Sequence, residues 1–158
     1  MAQTMAHAMA HEVRLAEVTA ENWWKVASLR LADDQKHLVA SNLYSIAQSK
    51  FDPDACSRAI YAGDAIIGFL MYDLPDADDD PKVVSIYRFM IDKDHQGKGY
   101  GRAALACAIA EIREIPGIDK VSISYLPDNA IARTLYASFG FIETGRIEYG
   151  EAHAELTL

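Results

Sequence analysis

The nine residues DHQGKGYGR, Asp94 to Arg102, place glycine at every second position, Gly97, Gly99 and Gly101, between the apolar run VVSIYRFMI and an alanine-rich segment. The apolar run reads as a strand ending at Ile91. Beyond the glycines, Leu105, Ile109 and Ile112 recur at helical spacing, and Pro116-Gly117 stops that helix. The β-branched KVSISYL then supplies another strand. A strand, a bare turn, a helix and a strand form a unit long enough for a parallel crossover within one sheet. Glycines at a strand-to-helix turn let successive backbone N–H groups converge on an anion at the positive end of the helix dipole. The stretch is neither the G-x-x-x-x-G-K-[ST] loop of nucleotide hydrolases nor the dinucleotide G-x-G-x-x-G. A diphosphate would fit there.

The flanking sequence completes an α/β pattern. VRLAEVT alternates as a first strand, Val13 to Thr19, and Thr19 is placed to cap a helix in AENWWKVASLRL. DDQKHLVASNLYSIAQSKF reads as one amphipathic helical stretch ending before Pro53. SRAIYAGDAIIGFLMYDL reads as a hairpin turning at Gly63-Asp64, followed by the acidic loop PDADDDP. After KVSISYL, Asp128 or Asn129 caps a helix through Phe139, and two last strands turn near Gly150. The order β, two helices, three strands, α, β, α, β, β predicts helices on both faces of a mixed sheet. At 158 residues the chain fits one domain, expected over residues 13–158, with residues 1–12 as a disordered leader.

Composition narrows the partners. A net charge of −8 opposes phosphate backbones, so the expectation is no nucleic acid and a cationic small molecule instead. No apolar run approaches the roughly 20 residues that cross a bilayer, and the first residues lack the basic start of a signal peptide. Cys56 and Cys107 suggest neither a disulfide framework nor a zinc clip, and His7 with His11 lacks further ligands, so no metal is expected. A reducing cytoplasm is the simplest home. A homodimer is compatible with this reading.

QGKGYG fits Q/R-x-x-G-x-G/A, and NAIARTLYASFGF, Asn129 to Phe141, fits N-x-x-A-x-x-L-Y-x-x-x-G-F. With both motifs in this order the chain resembles the Gcn5-related N-acetyltransferase (GNAT) family. The segments VASNLYSIAQ, YRFMIDKDHQGKGYGR and EYGEAHAEL look like its branch acting on spermidine, spermine or diamines. The resemblance implies a mixed, mostly antiparallel sheet and acetyl-coenzyme A (acetyl-CoA) as cosubstrate. It implies that Gln96, Gly97, Lys98, Gly99, Tyr100, Gly101 and Arg102 cradle the diphosphate. Phe89, Met90 and Ile91 would line the pantetheine arm, with Asn129 beside it.

In the same resemblance Tyr136 is the catalytic acid. A phenol of ordinary pKa near 10 is protonated at neutral pH and can donate to a departing thiolate. The strand VVSIYRFMI has no glutamate for a base, which leaves a water chain ending at Glu148, Glu151 or an acid near the N-terminus. For the acceptor, Glu21, Asp33 and Asp34 fall around the first helices, and Tyr44 and Tyr87 offer aromatic faces to a cation. Arg88 has no assigned role, pairing with one of these acids being one option. The implied reaction is direct attack by an amine, most simply of a polyamine. Other acceptors, a drug or a protein N-terminus, and a non-catalytic acetyl-CoA sensor are the competing readings.

Overall fold

A computed structural model describes residues 12–158, so the proposed leader, apart from Glu12, and the His7–His11 pair lie outside the described residues. Seven strands form one sheet in the order β1-β2-β3-β4-β5-β7-β6. They are β1 (Val13–Glu17), β2 (Ala55–Ala62), β3 (Ala65–Asp73), β4 (Val83–Ile91), β5 (Lys120–Tyr125), β6 (Ile142–Glu148) and β7 (Glu151–Thr157). Helices α1 (Trp23–Ala27), α2 (Asn42–Ser49), α3 (Tyr100–Arg113) and α4 (Ala130–Ser138) fall between them in the order expected from the sequence. Every strand pair is antiparallel except β4 with β5, the pair that the α3 crossover joins. The sheet therefore matches the mixed, mostly antiparallel architecture anticipated above. Among the described residues no helix is long and apolar enough to cross a membrane.

Two cores sit on opposite faces of the sheet. On one, α3 buries Ala104, Leu105, Ala108, Ile109 and Ile112 against Ile60, Leu70, Val84, Ile86, Val121 and Ile123, and α4 adds Tyr136. Each large aliphatic side chain so buried contributes about 1.5–3 kcal/mol relative to exposure. On the other face, Val26 of α1 and Ile46 of α2 pack on Ala59, Phe69, Met71 and Met90. A half-buried polar tie binds α3 to the sheet: Arg58 Nε and Tyr72 Oη both donate to Glu111 Oε1, each at 2.6 Å.

Three local expectations are corrected. DDQKHLVASNLYSIAQSKF is not one helix but a 3-10 turn, Asp33–Gln35, and then α2. Ser41 is extended and its Oγ accepts the Tyr44 N–H at 3.2 Å, so a cap restarts the helix. The first helix is also shorter than AENWWKVASLRL, ending where Ser28 Oγ donates back to the Trp24 carbonyl at 2.6 Å. Thr19 does not cap it. The cap position is Asn22, whose side chain accepts from Thr19 N at 2.7 Å and donates to Glu17 O at 2.9 Å, folding the link back onto β1. The other cap expectation holds, with Asn129 Oδ1 accepting the Ala132 N–H. The turn at Gly150 is a tight hairpin in which Tyr149 (φ 50°) and Gly150 (φ 80°) are both left-handed.

Just past β4, buried Asp92 fixes where the strand ends. Its carboxylate accepts the backbone N–H groups of Arg30 at 2.8 Å and Asp94 at 3.1 Å, with His95 Nδ1 at 3.4 Å. Burial acts to raise the Asp92 pKa, but these donors together outweigh it and hold the group below the usual carboxylate value. A depressed folded pKa means stability that is present above the unfolded value, near 3.9, and lost as pH falls through the folded one. Asp92→Asn is therefore expected to cost about 1–3 kcal/mol at neutral pH, and its deficit against wild type should narrow toward about pH 3. Urea unfolding of both proteins at the two pH values checks this.

Candidate active site

β4 has neighbours on both sides only for its first half. Its parallel register with β5 runs from Val83↔Lys120 to Ile86↔Ile123 and stops, whereas its pairing with β3 continues to Ile91↔Gly68. The break coincides with a bulge: Met71 pairs with Arg88 and Tyr72 with Ile86, so Tyr87 is an extra residue on β4. A bulge bends its strand and reverses which face later side chains take. Val84 and Ile86 belong to the α3 core, Tyr87 and Met90 lie with the opposite core, and Phe89 and Ile91 return to the α3 side.

Beyond Ile86, then, β4 borders a gap rather than a strand. Asp92 N–H donates to Ile67 O on β3 at 2.7 Å. Backbone groups alternate sides along a strand, so those of Phe89 and Ile91 point into the gap. The Ile91 carbonyl confirms the direction, because it accepts Gln96 Nε2 at 2.9 Å from the following loop. Gln96 also exchanges hydrogen bonds with Gln35 at 2.9 and 3.1 Å, tying the glycine loop to the 3-10 turn.

A cavity of about 440 Å³ occupies one end of the gap. It is lined by Phe89, Met90 and Ile91, by Gln96, Gly97, Gly99, Tyr100, Gly101 and Arg102, and by Asn129, Leu135 and Tyr136. That is a ligand-sized volume. Gly99 is the N-cap of the 14-residue α3 and stands at φ 83°, with Gly97 at φ 73°, conformations that side chains other than glycine resist. The loop thus brings glycine backbone, bare of side chains, to the cavity at a helix N-terminus, a fit for a diphosphate. Lys98 is exposed and its Nζ donates to Asp94 O at 3.2 Å, so its side chain does not line the cavity.

A second cavity, of only about 30 Å³, continues the gap and shares Leu38, Val39, Phe89, Asn129 and Tyr136 with the first. It adds Tyr87, Arg88, Ser124, Tyr125 and Glu151. Tyr136 stands at the junction. It is buried, with its ring 5.3 Å from that of Tyr125 and 5.9 Å from that of Phe141. Burial first, then Tyr125 and Glu151, push the Tyr136 hydroxyl above its ordinary pKa, so it is a phenol and not a phenolate.

The residues expected at the acceptor are less convergent. Asp33 and Asp34 lie exposed on the 3-10 turn whose Gln35 lines the large cavity, and Asp33 pairs with Lys36 at 2.5 Å. Tyr44 is exposed on α2 and lines neither cavity. Glu21 borders a separate polar hollow with Thr19, Asn22, Lys25, Tyr61 and Asp64. Tyr87 does line the small cavity, but the Arg88 guanidinium already covers its ring at 5.0 Å. Among the described residues Arg88 pairs with no acid: it donates to Ser45 Oγ and Tyr87 O, each at 3.1 Å, and to Gln48 Oε1 at 3.5 Å. Several residues at the gap escaped the sequence reading as site residues, Leu135 and Tyr125 among them. Leu38 and Val39 sat inside a supposed helix, and Gly68 looked like any strand residue, although a Cβ there would stand 2.5 Å from the Met90 carbonyl.

The model for the acetyltransferase (GNAT) family matches residues 15–141. The chain belongs to that family. A probable spermine N(1)-acetyltransferase of Bacillus subtilis subsp. natto is 28% identical over 140 residues, covering 87% of this chain and 92% of the relative. Among solved structures, spermidine N-acetyltransferase from Vibrio cholerae, with CoA and spermine bound, superposes with TM-score 0.74 at 16% identity. That match covers 92% of this chain and 95% of the neighbour. Aminoglycoside acetyltransferase AAC(6')-Ib in complex with coenzyme A gives 0.77 at 17% identity, covering 92% and 95%. The protein is a GNAT acetyltransferase, and acetyl-CoA is its cosubstrate. Gly99→Glu would place a carboxylate, in a disfavoured backbone conformation, against the diphosphate. Calorimetry is expected to show loss of measurable acetyl-CoA binding by a variant whose circular dichroism spectrum is unchanged.

Proposed function

We propose that this GNAT enzyme transfers acetyl from acetyl-CoA to a primary amine of a small polyamine, by direct attack while both substrates are bound. The observation that carries the proposal is a gap holding two adjoining cavities, with β4 backbone unpaired with β5 along one wall and Tyr136 lining both. The large cavity takes the cosubstrate. The glycine loop receives the diphosphate, and Phe89 and Ile91 present backbone groups to the pantetheine arm. The Phe89 N–H is the donor toward the thioester oxygen, where negative charge develops during attack. The amine enters through the small cavity and meets the carbonyl beside Tyr136.

Tyr136 then gives its proton to the sulfur. The buried site favours that role, since the hydroxyl is held neutral and can donate. Tyr136→Phe preserves the packing on Tyr125 and Phe141 and deletes only the hydroxyl. The expected outcome is a fall in kcat of roughly 10²–10⁴-fold with acetyl-CoA affinity nearly constant. Steady-state kinetics together with calorimetry read both quantities, and wild-type turnover would return Tyr136 to packing. A sensor without catalysis would have no use for a neutral phenol at this junction.

A polyamine acceptor is supported by the near full-length similarity to a probable spermine acetyltransferase and by the net charge of −8. One amine must be neutral to attack while the others stay charged and need acidic partners. Asp34, on the turn that borders the cleft, is exposed and available to a distal ammonium. Spermidine or spermine should show a higher kcat/KM than a monoamine of similar length, with the advantage shrinking in added salt. Asp34→Asn should narrow it mainly through KM. Equal kcat/KM for polyamine and monoamine at two salt concentrations would exclude the polyamine and leave the acetyltransferase intact.

A further inference from the structure

We infer that Glu151 is the base that takes the proton from the attacking amine, with Arg88 as the cation lining the same cavity. The inference rests on the proposed amine acetylation. Glu151 opens β7 directly after the Tyr149-Gly150 turn, so a tight hairpin fixes its backbone. Ala152 and Ala154 of the same strand pack in the α3 core, and alternation puts Glu151 on the other face. There it lines the small cavity with Phe89 and Tyr136. Among the described residues it is the sole carboxylate lining either half of the cleft.

Two other candidate bases fall away on geometry. Glu148 is exposed on the opposite arm of the hairpin and bound to Arg146. His95 lines only the cosubstrate end, where it lies against Asp92. Around Glu151 the charged and titratable groups are Tyr87 and Arg88 of β4, Tyr125 of β5, Tyr136 of α4, its cross-strand neighbour Glu148, and His153 on its own strand. Burial raises the Glu151 carboxyl above its usual range, strengthening it as a base, while Arg88 opposes the rise and favours the ionised form. Arg88 is itself anchored by Ser45 Oγ and the Tyr87 carbonyl.

The proton balance is complete with these groups. The acceptor ammonium gives one proton to the Glu151 carboxylate, directly or across one water, and Glu151 returns it to solvent. The freed lone pair attacks the thioester carbon, the C–N bond forms, and the C–S bond breaks with Tyr136 protonating sulfur. The nitrogen's second proton leaves as the amide forms and restores Tyr136 through water. The products are the acetylated amine, the free thiol and one proton.

Glu151→Gln separates this role from anchoring or packing. Its kcat/KM for the amine is expected to fall roughly 10²–10⁴-fold near pH 7. Near pH 10 roughly a third of an alkylamine of pKa near 10.4 is already neutral in solution, against well under a thousandth at pH 7, so the need for a base fades and the deficit should shrink to within about tenfold. Acetyl-CoA affinity by calorimetry should be unchanged, which also reports folding. Glu151→Asp should restore part of the rate. In Arg88→Gln, loss of the guanidinium should move the acidic limb of the kcat/KM profile to higher pH. A deficit equal at all pH values, or a rise in acceptor KM at constant kcat, would overturn the assignment. If wild type acetylates a monoamine as well as spermidine, the polyamine reading fails and the Glu151 comparison still reads out on that monoamine. Wild-type protein that acetylates no amine would overturn both.

Discussion

β4 cannot stay bonded to β5 beyond Ile86 and Ile123, because Tyr87 is an extra residue that bends it away. Buried backbone groups without partners are costly, so a strand parting inside a sheet needs something to receive its free edge. Here Gln96 supplies a partner by binding the Ile91 carbonyl. Phe89 and the Ile91 N–H are left facing a ligand-sized space. The glycine loop, the N-terminus of α3 and Tyr136 all border that same space. The catalytic site is thus a consequence of a sheet that splits on one side while β3 holds the other.

The two faces of the sheet do different work around this split. The α3 face is tied down by a continuous aliphatic core and by Glu111, which receives both Arg58 and Tyr72. This rigid side sets the position of the helix N-terminus proposed to receive the diphosphate. The opposite face is lighter, with one short helix and one of two turns, and its smaller core includes Met90 of the parted strand. Arg88 bridges the two regimes. It reaches from the bulge to Ser45 and Gln48 of α2 and carries positive charge toward the end of the cleft where Glu151 stands.

The element order, the parallel crossover and the cosubstrate were readable because local chemistry carried them: glycines at a helix start, an asparagine cap, alternating apolar strands. What was hidden depended on pairing. VVSIYRFMI shows no mark of its bulge, since the bulge exists only relative to Met71 and Tyr72 on β3. DDQKHLVASNLYSIAQSKF has helical periodicity throughout, and Ser41 could break it because its side chain competes for the backbone N–H of Tyr44. The break brings Leu38 and Val39 into the cleft. The acceptor residues were chosen for charge and aromaticity, which do not reveal direction. Glu21 and Tyr44 have suitable chemistry but border other surfaces.

Amide hydrogen exchange, followed residue by residue with and without acetyl-CoA, addresses the parted strand directly. Exchange reports local opening and the loss of free N–H groups to new partners. Bound acetyl-CoA should slow the amides of Phe89 and Ile91 and those from Gly97 to Gly101, while Val83 to Ile86, already bonded within the sheet, change little. Protection confined to the glycine loop, or spread evenly along β4, would contradict the assignment of the free strand edge as the binding wall for the cosubstrate.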